Sequence, residues 1–264
     1  MKIGILGLGK MGEAIVQGLQ RNNTSKYQIQ ATTRSEENAK ELSKRLSMIC
    51  HTDNRKLVSE SDMILLCTKP HQAKGILNEL APVFTQKKVL LSICAALETQ
   101  SLSEWSGGKA KVIRAMPNTP CLIGLGMTVL CPGKGVSEAL LESAAEIFNT
   151  LGKTAIIEEA LMDGATGLSG CGPAYVYLII EALSEAGVKV GLPRKTATLL
   201  AAQTLSGASQ MVLQRGIHPA ALKDEVTTPA GCTIDGLMAL EEGKIRVSLI
   251  KAVLAAARRS KELG

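Results

Sequence analysis

The chain has 264 residues, of which 45% are hydrophobic and 20% are charged, and its formal net charge is +6 at pH 7. This length can hold one large domain or two ordinary ones, and the apolar residues supply a core, so the chain is predicted to be globular. Only one tryptophan, two phenylalanines and three tyrosines are present. Nucleic-acid bases would therefore find few aromatic rings to stack on, and the positive charge is spread along the chain rather than clustered. Both features argue against a nucleic-acid partner.

Seven cysteines occur singly, with no CxxC pair. This pattern argues against a disulfide framework and against a metal site, and it favours a reducing cytoplasm as the location. Lys2 precedes a short apolar run, as in a signal peptide, but Lys10 and Glu13 interrupt that run early. No apolar stretch reaches the about 18 to 20 residues that span a bilayer, so no membrane association is expected.

The first half of the chain alternates strand and helix patterns. Lys2 to Leu6 is predicted to be a short buried strand that leads into an amphipathic helix from about Met11 to Arg21. A second strand at 28–33 and a charged helix at 36–46 follow. Four short apolar runs come after them, at 63–67, 89–93, 111–115 and 127–131. Strands that alternate with helices at this spacing predict an α/β domain with a doubly wound, mainly parallel sheet.

After about Glu158 the strand-like runs end and helical periodicity continues to the C-terminus. Helices are predicted at 161–169, 173–186, 193–214, 219–225, 233–242 and 245–259, with Pro173, Pro193 and Pro219 near helix starts. We therefore expect an α/β domain at residues 1–158 and an all-α domain at residues 159–264. With only about 105 residues to enclose a core, the helical domain is expected to pair with a second subunit as a dimerisation domain.

A glycine motif connects the first strand to the first helix. Gly7, Gly9 and Gly12 match G-x-G-x-x-G in the context that the motif requires, which predicts a Rossmann domain that binds a dinucleotide. The helix N-terminus offers free N–H groups and a partial positive charge to the phosphates. The residues predicted to contact the cofactor here are Leu6, Gly7, Leu8, Gly9, Lys10 and Met11. A glycine-rich turn without a ligand is the alternative interpretation.

The end of the second strand indicates which cofactor binds. An NAD site places Asp or Glu there, whereas this chain has Thr33, Arg34 and Ser35. The Arg34 guanidinium can bind a 2′-phosphate, with the two hydroxyls as further donors, so NADP is predicted and NADPH preferred, with NADH remaining a possible donor. The alternative is that Arg34 is a solvated surface residue.

Two further loops follow later strands and should face the same crevice. Their predicted cofactor residues are Cys67, Thr68, Lys69, Pro70, Cys94, Ala95 and Ala96. A free cysteine in such a place is more often a small hydrophobic residue than a nucleophile, so neither thiol is predicted to be catalytic. His51 and His71 are interpreted as surface or loop residues.

Three segments, read together with the glycine loop, identify a family. They are RAMPNTP at 114–120, LSGCGPAY at 168–175 and HPAALKDEVTTPAGCTIDGLMALE at 218–241, and they resemble pyrroline-5-carboxylate reductase over essentially the whole chain. The resemblance implies reduction of 1-pyrroline-5-carboxylate to proline, the last step of proline synthesis, with hydride from NADPH or NADH. It also implies dimers that assemble into decamers.

The resemblance further implies which residues bind the substrate. The substrate carboxylate would lie in the loop at 227–233, where the backbone opens a helix and offers unpaired N–H groups. The residues of this loop assigned to the substrate are Thr228, Ala230, Gly231, Cys232 and Thr233. Thr233 would hydrogen-bond the ring nitrogen and act as the catalytic residue; the alternative for Thr233 is a helix N-cap.

Four more residues are assigned by the same resemblance. Glu159 and Glu225 would line the substrate site, and Asn54 and Asn118 would lie near the cofactor. A solvated charge is the alternative for Glu159. Each of these assignments is an expectation carried by the resemblance.

The chain also departs from the family motifs SGSGPAY and SPGGTT, with Cys171 in the first and with Thr228, Ala230 and Cys232 in the second. Ala230 matters most, because a position that needs a positive φ would strain alanine. Two competing functions stay open: a reductase of another cyclic imine acid, and a non-catalytic paralogue that binds dinucleotide.

Overall fold

The computed structural model describes residues 1–21 and 26–263, and the chain divides into two compact units. One unit comprises Met1–Gly170 together with the segment that begins at Ala256, and the other comprises Cys171–Ala255. The predicted domain boundary after residue 158 precedes this division and stays a prediction.

The first unit is built on an eight-stranded sheet with the order β3-β2-β1-β4-β5-β6-β7-β8. The strands are β1 Lys2–Leu6, β2 Gln28–Thr32, β3 Ile49–His51, β4 Met63–Leu66, β5 Val89–Ser92, β6 Lys111–Pro117, β7 Gly126–Pro132 and β8 Gly152–Ile156. All neighbouring strands are parallel except β6 and β7, which are antiparallel. The predicted doubly wound, mainly parallel sheet is confirmed.

Helices cover both faces of this sheet. They are α1 Lys10–Arg21, α2 Glu36–Leu46, α3 Asn54–Glu60, α4 Pro70–Leu80, α5 Thr99–Trp105 and α6 Glu138–Asn149. Because both faces are covered, β4 and β5 are buried at every position and form continuous apolar runs rather than alternating ones. Ile3 and Ile5 of β1 belong to the apolar cluster that includes α1, α2 and α6, whereas Leu6 belongs to the cluster that includes α3 and α4.

Gly4, in the middle of β1, allows α3 to approach the sheet. A Cβ at this position would lie 2.4 Å from the Ser61 hydroxyl oxygen and 2.6 Å from a Leu57 methyl carbon. Any side chain would therefore push α3 away from the strand. The close approach buries Leu57 and Val58 completely.

The segment after β8 is tied to the sheet by Glu159. Its carboxylate accepts hydrogen bonds from the Thr99 N–H at 2.8 Å, from the Thr99 hydroxyl at 2.5 Å and from Arg114 Nη1 at 2.8 Å. The Arg114 side chain, on β6, is only 7% exposed. Burial raises the pKa of Glu159, but the hydrogen bonds from Thr99 and Arg114 outweigh burial and hold that pKa below its ordinary value. Glu159 thus caps α5 and neutralises a buried arginine.

The helix predicted at 161–169 is wrong as a continuous element. The structure has a 3-10 turn at Glu159–Leu161, one α-helical turn, α7, at Met162–Ala165 and a π-helical turn at Thr166–Gly170. The Thr166 hydroxyl donates to the Met162 carbonyl at 2.8 Å, and such back-bonding competes with regular helix geometry. Glycines at 164, 167 and 170 further lower the helix propensity of this stretch.

The second unit consists of helices, as predicted. They are α8 Gly172–Lys189, α9 Arg194–Arg215, α10 Pro219–Glu225, α11 Cys232–Glu242 and α12 Ile245–Leu263, the end of α12 from Ala256 belonging to the first unit. α8 and α9 pack closely: a Cβ at Gly187 would lie 2.7 Å from the Ala197 Cβ, and the Ser184 and Thr198 hydroxyls are 2.7 Å apart.

We predict that Glu159→Gln lowers the free energy of unfolding by about 2 kcal/mol at neutral pH, because buried Arg114 loses its counter-ion. The pKa of Glu159 is depressed below 4.5, so its stabilisation is present above pH 4.5 and disappears as the pH falls through the lowered pKa. Urea unfolding of the variant and the unsubstituted protein should therefore differ most near pH 7 and converge in acid.

The matched control is Glu79→Gln. Glu79 pairs with Arg55 at 3.9 Å, with both side chains 59% exposed, and such surface pairs contribute little. Equal losses in the two variants would contradict the role given to the Glu159 network. All measurements use one protein concentration, because oligomer stability depends on it.

Candidate active site

The glycine loop of the first unit joins the end of β1 to the start of α1. Gly7 has a φ of 85°, and a Cβ there would lie 2.9 Å from the Thr68 methyl carbon. A Cβ at Gly12 would lie 3.2 Å from the Gly7 carbonyl oxygen, so the helix packs closely on the loop. A Cβ at Gly9 would meet nothing within 4 Å. Backbone that is open at Gly9, beside the unpaired N–H groups of a helix start, fits the phosphates of a dinucleotide.

Thr33, Arg34 and Ser35 form the turn between β2 and α2. The Thr33 N–H donates to the His51 carbonyl at 3.1 Å, which anchors the turn to β3. The Ser35 hydroxyl caps α2 by accepting from the Asn38 N–H at 3.3 Å, and its own O–H can still donate. Arg34 is exposed and forms no ion pair within residues 1–21 and 26–263. The turn therefore offers donors and one unpaired positive charge.

The loops after β4 and β5 leave the same edge of the sheet as the glycine loop. They hold the predicted cofactor residues Cys67, Thr68, Lys69, Pro70, Cys94, Ala95 and Ala96. The Cys94 thiol donates to the Thr68 carbonyl at 3.3 Å, which joins the two loops. Burial raises the pKa of the Cys67 thiol and of the Cys94 thiol, so both remain protonated at neutral pH. Ala96 has a φ of 62°, a left-handed conformation that is unusual for alanine.

The two asparagines predicted to lie near the cofactor occupy different loops. Asn54 is the first residue of α3, next to the capping residue Asp53. Asn118 follows β6; its Oδ1 accepts from the Met127 N–H at 2.9 Å, and its Nδ2 donates to the Ser169 carbonyl at 3.1 Å. Asn118 therefore joins the β6–β7 connection to the π-helical turn, and one N–H of its amide is left for a ligand.

Both acidic residues assigned to the substrate have partners within the chain. Glu159 belongs to the first unit and is held by Thr99 and Arg114. Glu225 belongs to the second unit, where Arg215 binds it with both terminal nitrogens at 2.6 and 3.0 Å and these hydrogen bonds lower the pKa of Glu225. The assignment of these two carboxylates to a substrate stays a prediction.

A tight turn at Thr228–Gly231 precedes α11. The Gly231 N–H donates to the Thr228 carbonyl at 3.1 Å, Pro229 takes the second position, and Ala230 takes the third with a φ of 55°. This is the arrangement of a type II turn, whose third position favours glycine. A Cβ at Gly231 would lie 2.4 Å from the Thr228 hydroxyl oxygen, so a side chain there would displace that hydroxyl. Ala230 therefore has the positive φ at which strain is expected for alanine.

The turn delivers the chain into α11 with its first N–H groups unpaired. Gly231 is the N-cap and has no side chain to bond them, Cys232 is the first helical residue, and Thr233 is the second. Thr233 is therefore not the N-cap, which removes the alternative interpretation of this residue. Thr233 is half-buried, and its hydroxyl has no hydrogen-bond partner in the described part of the chain.

Three buried side-chain atoms lack a hydrogen-bond partner among the described residues: His51 Nε2, Thr68 Oγ1 and Ser169 Oγ. Thr68 is itself a predicted cofactor residue, and His51 and Ser169 each share a hydrogen bond with one. Unpaired buried polar atoms are rare in native proteins and call for an explanation. His51 is not the surface or loop residue expected from the sequence: it is half-buried in β3, a strand of three residues that is too short to show alternation.

No group of three or more metal-ligating side chains occurs within the described ranges. The seven cysteines are all unbridged. None of the helices in the described ranges has the length and apolar character needed to cross a membrane.

Two family models match the chain. One, described as pyrroline-5-carboxylate reductase dimerisation, matches residues 159–263, and the other, described as NADP oxidoreductase, coenzyme F420-dependent, matches residues 2–96. The pyrroline-5-carboxylate reductase of Methanosarcina acetivorans is 40% identical over 100% of this chain and 98% of its own. That of Arabidopsis thaliana is 40% identical over 99% of this chain and 95% of its own.

Solved structures agree with these relatives. A pyrroline carboxylate reductase of Plasmodium falciparum, with NADP bound, superposes with a TM-score of 0.87 at 36% identity and covers 100% of this chain and 98% of its own. A pyrroline-5-carboxylate reductase of Coxiella burnetii superposes with a TM-score of 0.94 at 34% identity, with 99% and 98% covered. The chain therefore belongs to the pyrroline-5-carboxylate reductase family and is an NAD(P)H-dependent oxidoreductase.

Proposed function

We propose that the protein reduces 1-pyrroline-5-carboxylate to L-proline, with NADPH as the preferred hydride donor and NADH as a second one. The observation that carries this proposal is the similarity, over the full length of the chain, to reductases that bear this substrate's name. The reaction would be the last step of proline biosynthesis. The turn at Thr228–Gly231 supplies the local chemistry that such a substrate needs.

The substrate carboxylate would bind at the start of α11. The N–H groups of the first helical turn are unpaired, and the helix dipole places partial positive charge there. Because Gly231 carries no side chain, nothing at the N-cap competes with the carboxylate for these groups. The proposed substrate residues of this segment are Thr228, Ala230, Gly231, Cys232 and Thr233.

Thr233 would hold the ring nitrogen of the substrate. When bound, NADPH supplies a hydride to the carbon of the C=N bond, and the nitrogen, which keeps the former π-electron pair, carries the proton of the product amine. A hydroxyl can donate to or accept from that nitrogen, so Thr233 would orient the ring and relay a proton from solvent to an imine nitrogen that does not yet carry one. A protonated imine is already electrophilic, so positioning is the larger part of the task.

The adenosine end of NADPH would lie at the end of β2. β2 ends in Ala31 and Thr32, and no carboxylate takes the place that would bond a ribose 2′-hydroxyl. Arg34 is exposed and unpaired there, and it can bind a 2′-phosphate with its guanidinium, while Thr33 and Ser35 add hydroxyl donors. Asn54 and Asn118 remain proposed as neighbours of the cofactor, and Glu159 and Glu225 as neighbours of the substrate.

We further propose a homodimer, formed through the helical unit, that acts in the cytoplasm and assembles further into decamers. Very few side chains of α8 and α9 are buried within their own unit, and α11 buries none. Large apolar side chains are instead exposed, among them Leu178, Leu199, Met211, Leu213, Met238, Ile250 and Leu254. A second copy of the same surface would cover them.

The proposed activity is tested by following NADPH oxidation with pyrroline-5-carboxylate and with other cyclic imine acids. Turnover should be highest with pyrroline-5-carboxylate. Preference for another cyclic imine acid would overturn the substrate. Tight NADPH binding without turnover of any imine would favour the non-catalytic paralogue.

Arg34→Ala is expected to raise the KM for NADPH by about 10-fold to 100-fold, because a charge-assisted contact to the 2′-phosphate is lost. The KM for NADH should change less than about twofold, since NADH has no phosphate there. Lys44→Ala, at the far end of α2, serves as the control for loss of an exposed positive charge. An equal effect on both cofactors would contradict NADP recognition by Arg34.

Thr233→Val is expected to lower kcat by at least about tenfold, because valine keeps the shape of threonine and deletes only the hydroxyl. Thr233→Ser, which keeps the hydroxyl, should retain most of the activity. Both variants are compared by stopped-flow measurement of hydride transfer and by thermal melting. Equal kcat in Thr233→Val and the unsubstituted enzyme would remove the catalytic role.

Ala230→Gly is expected to raise the free energy of unfolding by about 0.5 to 1 kcal/mol. Relief of a left-handed alanine gains about 1 to 2 kcal/mol, and the added chain entropy of glycine removes part of that gain. Ala239→Gly, in the body of α11, is the control and should destabilise the protein by about 1 kcal/mol. Destabilisation by both substitutions in urea unfolding would mean that Ala230 carries no strain.

A further inference from the structure

His51 lies in the row of residues with which the parallel strands end. It pairs with Thr32 of β2, Thr32 pairs with Leu6 of β1, and Leu6 pairs with Leu66 of β4. Paired residues of neighbouring parallel strands point to the same side of a sheet. Leu6 and Leu66 belong to the apolar cluster of α3 and α4, so the His51 ring lies on that side, at the carboxyl edge of the sheet.

The backbone of His51 touches the turn that carries Arg34. The Thr33 N–H donates to the His51 carbonyl at 3.1 Å. The orientation of the His51 ring is fixed by a second hydrogen bond, in which the Asp53 N–H donates to Nδ1 of the ring at 3.2 Å. A ring nitrogen that accepts carries no proton, so the neutral ring has its proton on Nε2.

That Nε2–H is a donor without an acceptor. Nε2 is buried, and it has no hydrogen-bond partner in the described ranges. The nearby carboxylates are engaged elsewhere: Glu36 accepts from the Thr52 hydroxyl at 2.5 Å, and Asp53 accepts from the Lys56 N–H at 2.9 Å. Arg34 offers only donors. The His51 Nε2–H and the Arg34 guanidinium are therefore donors without a protein acceptor near the ends of β2 and β3, while the two nearby carboxylates already accept hydrogen bonds from other groups.

We propose that His51 Nε2–H donates a hydrogen bond to the 2′-phosphate of NADPH, beside Arg34, and so contributes to the choice of NADPH over NADH. The inference rests on the proposed dinucleotide function. Because Nε2 is covered by protein atoms, the contact requires the side chains that cover it to move when the cofactor binds. Side-chain rearrangement of this kind is common in binding sites.

Two substitutions distinguish the contribution of the His51 Nε2–H from that of the Nδ1 acceptor. Asparagine at 51 keeps an acceptor near Nδ1 for the Asp53 N–H but has no group near Nε2, whereas glutamine places an amide N–H near Nε2. We expect His51→Asn to raise the Kd for NADPH about tenfold and the Kd for NADH less than about twofold, and His51→Gln to restore most of the NADPH affinity. Kd values are measured by calorimetry on the full chain, with His71→Asn, an exposed residue of α4, as control.

Unchanged NADPH affinity in His51→Asn, or an equal loss for both cofactors, would overturn the proposal. If His51→Asn lowers the melting temperature, the comparison moves to His51→Gln and His51→Glu, which differ only in a donor and a negative charge. Weaker NADPH binding by the glutamate variant alone supports a phosphate contact, and equal NADPH binding by both overturns it. An unsubstituted protein that binds neither cofactor would instead overturn the proposed function.

Discussion

The parallel pairing of β1 with β2 on one side and β4 on the other is the interaction on which the first unit depends. Parallel neighbours cannot be joined by a tight turn, so a helix must cross over between each pair. The strand order reverses direction at β1, and the loops after β1 and β4 then diverge to opposite faces. That divergence opens the crevice beside Gly7. Gly4 lets α3 lie close to β1, because a larger residue would push the helix off the strand.

Much of this architecture could be predicted from the sequence, because its strands are buried runs with strong local signals. β3 and β8 were not predicted: β3 has three residues, none of them fully buried, and β8 mixes glycine, lysine and threonine with few apolar residues. Their pairing with β2 and β7 comes from the sheet and not from their own propensity. The prediction of one continuous helix at 161–169 is wrong for a related reason. A side-chain hydrogen bond at Thr166 competes with regular helix geometry there.

The candidate site also has parts that could be predicted from the sequence and parts that could not. The glycine loop, the Arg34 turn and the strained Ala230 could be predicted because each depends on a few consecutive residues. The partners of Glu159 could not, since Thr99 lies 60 residues away in sequence and Arg114 lies 45 away. Nor could the ring orientation of His51, which depends on the neighbouring backbone at Asp53. Local motifs are visible in a sequence, but long-range hydrogen bonds need the fold.

The first unit is discontinuous, since it includes the end of α12 from Ala256 as well as Met1–Gly170. Ser260 in that end donates a hydrogen bond to Asp163 at 2.7 Å. Domains of a growing chain generally fold in order of synthesis, and the segment from Ala256 is synthesised after the second unit. The sheet can therefore assemble early, but its unit gains the contacts of the α12 end only after the whole second unit has been synthesised, so a nascent chain stalled before Ala256 would display an incomplete α/β unit to chaperones and proteases.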